Sequence, residues 1–186
     1  MNRRTFLETA GLTATAASLP AIFAAAAADA PARKMTIALT PGSIGVSAKT
    51  QSELNALAHR HGYESVEPRS RELATMSNAQ VSEVLNDLKK KDLLWAAAGL
   101  PVDFRKDEAR FREDLEKLPR IAAGLKGAWV ERVGTWLSPS HGELTYLANF
   151  KQHAARLREV AKILDDEGLR FGLEYVGTQS LLVGRR

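Results

Sequence analysis

Leu169-Arg170-Phe171-Gly172-Leu173-Glu174-Tyr175-Val176 is the stretch that decides the reading of this chain. Alternate side chains of a strand point to opposite faces, so Leu169, Phe171 and Leu173 share one face and Arg170, Gly172 and Glu174 the other. In a chain of alternating strands and helices the apolar face packs on the helices. Glu174 then points away from them at the carboxyl end of its strand, where enzymes built on parallel strands place a metal ligand or a base. A rim ion pair with Arg132 is the alternative for this carboxylate. The sequence ends shortly afterwards, at Arg186, and the expectation is a site that stops before it is complete.

The same strand-then-helix rhythm runs upstream. Residues 35–40 form a short apolar run closed by Pro41-Gly42-Ser43, a turn signal. Thr50 and Glu53 stand at capping-box spacing before a helix with Leu54, Leu57 and Ala58 on one side and Gly62 as its stop. Residues 63–67 read as the second strand, with Val66 toward the helices and Glu67 inward, although Arg69 and Arg71 lie close enough to engage that carboxylate. Ser77 and Gln80 open a second helix striped by Val81, Val84, Leu85 and Leu88. Residues 93–98 are the third strand. A helix over 107–125 follows, burying Phe111, Leu115 and Leu118, with a kink expected at Pro119. Residues 128–133 are read as the fourth strand and 134–142 as the loop after it. Leu147, Phe150, Leu157, Val160 and Leu164 then mark a helix over 144–166 that ends at Gly168.

This alternation predicts a parallel sheet with helices outside it. At roughly 31 residues per unit of an eight-unit barrel, the chain beyond residue 32 holds about five βα units, so an incomplete (β/α)8 barrel is expected over 33–186. An open doubly wound sheet is the alternative. It is disfavoured because Gly42 and Gly45 stand alone, without the spacing of a dinucleotide-binding loop.

Residues 1–32 are set aside from the fold. Arg3-Arg4-Thr5-Phe6-Leu7, followed by an Ala- and Thr-rich stretch and the run Ala24 to Ala28, resembles a twin-arginine export signal, with Asn2 and Glu8 departing from the usual pattern. Small residues permit cleavage after Ala28 or Ala32. A membrane anchor is the alternative, but the segment is weakly apolar for a span of about 20 residues. Export delivers the protein to the periplasm or beyond, with membrane contact only through the signal, and suits proteins that fold around a metal or cofactor first. The sequence has no cysteine, which excludes disulfides, thiolate metal sites and a cysteine nucleophile. A net charge of +4 spread along helices gives no basic tract for nucleic acid.

Four segments carry a resemblance: Gly62-Tyr63-Glu64-Ser65-Val66-Glu67-Pro68, Ala97-Ala98-Gly99-Leu100-Pro101-Val102-Asp103, Gly134-Thr135-Trp136-Leu137-Ser138-Pro139-Ser140-His141 and Gly172-Leu173-Glu174-Tyr175-Val176-Gly177. Together they resemble the xylose-isomerase-like barrel proteins, the sugar phosphate isomerases and epimerases. The resemblance implies that Glu174 binds a divalent metal and doubles as the acid/base that moves a carbon-bound proton through an enediolate. The Asp, His and second Glu of later strands have no counterpart here. It implies a sugar or sugar phosphate as substrate and Mn²⁺ or Mg²⁺ rather than Zn²⁺, since the donors are oxygens. A homo-oligomer is compatible with it. Glu67, Trp136 and His141 are the candidate substrate-binding residues, the aromatic ring as a face for a sugar and the imidazole as a partner for a hydroxyl. Loop packing for Trp136 and helix capping for His141 are the alternatives. His59 and His61 are assigned to a helix end and His153 to the surface. Ser138 and Ser140 lack the base and acid of a serine hydrolase. A non-catalytic sugar-binding or remnant protein, and an abasic-site endonuclease on the same kind of barrel, are the competing functions.

Overall fold

A computed structural model describes residues 35–137 and 143–176. The proposed export segment and His141 lie outside the described residues. The chain from Thr36 onward forms one unit, and it carries parallel strands in sequence order. Strands β1 (Ala38–Leu39), β2 (Ser65–Val66) and β3 (Leu94–Trp95) make one three-stranded sheet. A second sheet holds β4 (Ala98–Gly99), β5 (Arg132–Leu137) and β6 (Arg170–Tyr175). Every pairing is parallel. Because each strand lies beside the next, with no reversal of order, the wall winds in one direction. A doubly wound sheet would reverse at a switch point; this one has the order of a barrel wall.

Helices α1 (Gln51–Arg60), α2 (Ser70–Leu73), α3 (Asn78–Lys90), α4 (Glu108–Gly127) and α5 (Tyr146–Asp166) fill the connections. Their starts follow the capping chemistry of the sequence. Ser77 and Gln80 close a reciprocal capping box at α3. Thr50 accepts the Glu53 N–H at 3.2 Å, but Glu53 turns its own carboxylate to the Lys49 N–H at 2.7 Å, so only half of the expected box forms at α1. Asp107 and Thr145 cap α4 and α5. No helix among the described residues is long and apolar enough to cross a membrane.

Two apolar clusters lie between strands and helices. Leu39, Leu54, Ala58, Val66, Leu88 and Leu93 form the first, under α1 and α3. The second, larger cluster is centred on Phe104, Phe111, Leu118, Leu125, Val133, Val160 and Leu164. Trp95 packs against both, and its indole N–H donates to the Ala128 carbonyl at 2.9 Å.

Three expectations about elements are corrected. The third strand is not continuous: its first half pairs with β2 and its second half with β5, and the break falls at Ala96-Ala97. The fourth strand is Arg132–Leu137 rather than 128–133. Residues 128–131 complete the turn out of α4, with Trp129 in the left-handed region at φ 61°. Gly134, taken from sequence as the start of a loop, sits inside β5, where the methyl of Ala97 is 3.9 Å from the place its own Cβ would occupy. The third correction concerns α5. Leu147 and Phe150 share the helical spacing of Leu157, Val160 and Leu164, yet unlike those three they are exposed. Phe150 lines an open apolar groove shared with Phe171 and Tyr175 of β6.

Candidate functional site

The site is built at the carboxyl ends of the strands. Pairing between β5 and β6 sets Trp136 beside Glu174 and Gly134 beside Gly172. Along β6, Phe171 and Tyr175 line only the helix-side groove and Gly172 and Glu174 only a cavity of about 630 Å³ on the inner face, while Leu173 borders both. Glu67, Thr40, Arg105, Gly134 and Trp136 line the same cavity. The two carboxylates expected from sequence therefore meet one space, reached from β2 and β6.

Their environments differ. Glu67 is half-buried, and burial raises its pKa above the usual carboxylate value, while the Gly99 backbone N–H beside it acts in the opposite direction. The approach is close: a Cβ at residue 99 would lie 2.8 Å from Glu67 Oε1, so glycine is what leaves room for the carboxyl. Behind Glu67, the fully buried Gln51 at the start of α1 holds the strand end. Its Oε1 accepts the Arg69 N–H at 2.7 Å, and its Nε2 donates to Asn55 Oδ1 at 2.9 Å and to the Glu67 carbonyl at 3.4 Å. The arginines thought close enough to neutralise Glu67 are engaged elsewhere, Arg69 with Glu72 and Arg71 with Asp114. Glu174 is exposed on the last described strand. Arg132, its alternative partner, is not paired with it; the ion pair at that end of the sheet is Arg170 with Glu131.

Trp136 is a strand residue rather than a loop residue. Its ring carries the Arg105 guanidinium, with Cζ 3.9 Å from the ring centroid. His153, assigned from sequence to the surface, is 9% exposed and meets Phe104 edge-on, ring centroids 4.9 Å apart. His59 does sit at a helix end, with Nδ1 3.1 Å from the Lys91 carbonyl. Sequence reading missed Gln51, Gly99 and Arg105. Gly99-Leu100-Pro101 follows the third strand in the sequence, but nothing local shows that Glu67 lies over it.

The donor set tests the expected metal. Glu174 offers a carboxylate on the cavity wall. Among the described residues no group of three His, Cys, Asp or Glu is placed to hold an ion. These residues supply at most part of a ligand shell and do not by themselves form one.

Comparison with known proteins adds the fold. No protein-family model matches the sequence, and no curated protein matches it. Among solved structures it is similar to a xylose isomerase domain protein from Alicyclobacillus acidocaldarius, at 28% identity and a TM-score of 0.60, over 78% of this chain and 51% of that one. The fold is that of the xylose-isomerase-like barrels. An IOLI protein with a binding zinc atom gives 19% identity and a TM-score of 0.58, over 77% of this chain and 52% of that one. D-psicose 3-epimerase in the presence of D-fructose gives 14% and 0.53, over 74% and 51%. The chain thus spans about half the length of the solved structures it matches, and its parallel strands form part of a barrel wall.

Proposed function

We propose that this chain belongs to a sugar isomerase or epimerase, and that it supplies the first five strands of the mouth that binds a small sugar or sugar phosphate. The observation that carries the reading is the convergence of Glu67 and Glu174 on one cavity at the carboxyl ends of parallel strands, with Trp136 lining it in register beside Glu174. Glu174 is the residue that would accept a proton from the carbon next to a carbonyl. Glu67, whose pKa burial raises above the ordinary carboxylate value, would hydrogen-bond a sugar hydroxyl. Trp136 offers an apolar face to the ring or chain of the sugar. A divalent ion, Mn²⁺ or Mg²⁺, is part of the proposal: when bound it would polarise the carbonyl, and Glu174 would be one of its ligands beside donors that the described residues do not contain. The zinc atom of one similar structure and the fructose of another support this class of ligand. Export through residues 1–32 is proposed with it, and a reporter fused to that segment tests it by its compartment.

The test is solvent exchange. Incubated in heavy water with Mn²⁺ or Mg²⁺ and a panel of ketoses and ketose phosphates, the protein should place deuterium on the carbon next to the carbonyl, read by NMR. Glu174→Gln should abolish the exchange and Glu67→Gln should weaken it. Absence of both exchange and metal uptake by native mass spectrometry would overturn the reading. Sugar binding without exchange would favour the second reading, a non-catalytic sugar-binding protein, which draws support from the missing third metal donor among the described residues.

A further inference from the structure

Arg105 is a charge that the site described so far does not use. It lies in the connection between β4 and α4 and lines the inner cavity with Glu67 and Glu174. Its guanidinium Cζ is 3.9 Å from the centroid of the Trp136 ring and 4.2 Å from that of Phe104. Nη2 donates to Thr135 Oγ1 at 3.4 Å and to the Trp136 carbonyl. Nε is buried and has no hydrogen-bond partner. Asp103, two residues back, accepts the Arg105 backbone N–H at 3.2 Å and makes no direct ion pair with the guanidinium; burial lowers the Arg105 pKa, and the Asp103 charge only partly opposes that.

The other arginines make the contrast. Arg69, Arg71, Arg110, Arg112, Arg156 and Arg170 each reach a carboxylate. Arg60, Arg120, Arg132 and Arg158 have no such pair among the described residues, and all four are exposed. Arg105 alone is both partly buried and without a carboxylate among the described residues. Withdrawing a cation from water is costly unless it is paired. Ring faces offset part of that cost, and two carbonyl and hydroxyl acceptors offset a little more, but an unsatisfied Nε remains. The two acids that line the cavity with it, Glu67 and Glu174, form no ion pair with it among the described residues. What is missing is an anion, and the place for it is the cavity.

We propose that Arg105 recognises an oxyanion on the ligand, so that the sugar taken by this cavity is an acidic one, bearing a carboxylate or a phosphate ester. The planar fork of a guanidinium matches either group through two parallel hydrogen bonds. Contact with the Trp136 and Phe104 rings holds the fork without using its charge. This deepens the proposed function and rests on it only for the sugar in the cavity.

Calorimetric titration with three ligands of one skeleton tests it: a neutral ketohexose, its phosphate ester and a hexuronate. The protein should bind at least one charged ligand about tenfold or more tightly than the neutral one, and the stronger of the two identifies the source of the oxyanion. Arg105→Gln should erase that preference, so that charged and neutral ligands bind within about twofold of one another, and Arg105→Lys, which keeps the charge but loses the fork, should retain part of it. Thermal unfolding of each variant confirms that it folds. Equal affinities in the unaltered protein, equal weakening of all three ligands in Arg105→Gln, or binding of none of them would overturn the proposal. Anion preference without deuterium exchange would leave Arg105 as assigned and count against the isomerase reading instead.

Discussion

Glu67 and Glu174 face one cavity, but the protein holds them in different ways. Glu67 is seated: Gln51 fixes its strand end, Gly99 makes way for its carboxyl and the surroundings are dry enough to favour its proton. Glu174 stands exposed on a strand paired along one side among the described residues. A seated carboxyl is suited to steady hydrogen bonding. An open one is free to meet other groups, including an ion or a reacting carbon.

The largest test of that contrast is steric. Gly99→Val should cost about 2 kcal/mol in chemical denaturation, because the new side chain must displace the Glu67 carboxyl. On the Glu174 side Gly172→Ala should change stability by less than about 1 kcal/mol, since the nearest atom to its new Cβ, the Val133 carbonyl oxygen, is 3.9 Å away. A similar cost at both glycines would break the comparison.

Acidity gives a smaller effect. Burial raises the folded-state pKa of Glu67 above its unfolded value. Its proton thus stabilises the folded state fully below the unfolded carboxyl pKa, and that contribution is lost as pH rises through the folded value. Glu67→Gln carries no such loss. The stability of the unaltered protein relative to this variant should fall between about pH 4 and about pH 7, measured as urea midpoints at the two values. A difference that is constant or grows in favour of the unaltered protein would show that Glu67 is not held in a dry seat.

Smallest of all should be the stability cost of Glu174→Gln, under about 0.5 kcal/mol by the same denaturation, because the residue is exposed on its strand. A loss of several times that amount would mean that Glu174 has a structural task.

What could be read from the sequence divides along similar lines. Strand parity placed Glu174 and Glu67 because it needs only a residue's neighbours along the chain and the position of the apolar set. The capping residues Thr50 and Ser77 were legible for the same reason, since a cap acts within one turn. Trp136 was displaced into a loop because Gly134 reads as a breaker; in the fold that glycine is a strand residue with Ala97 packed beside it. His153 looked like a surface residue because nothing local predicts the Phe104 ring across from it. Arg105 and Gly99 escaped notice since their significance comes from partners about 30 positions away, Trp136 and Glu67. Contacts of that range depend on how the wall curves, which periodicity does not encode.

The indole of Trp95 bridges two layers that otherwise have separate apolar interiors. Of the three tryptophans, Trp129 is largely wetted and Trp136 about half so in the native state, which leaves Trp95 as the one packed between the clusters. Its emission should move to the red only when the layers part from each other, so fluorescence can tell whether the two melt as one body or in sequence.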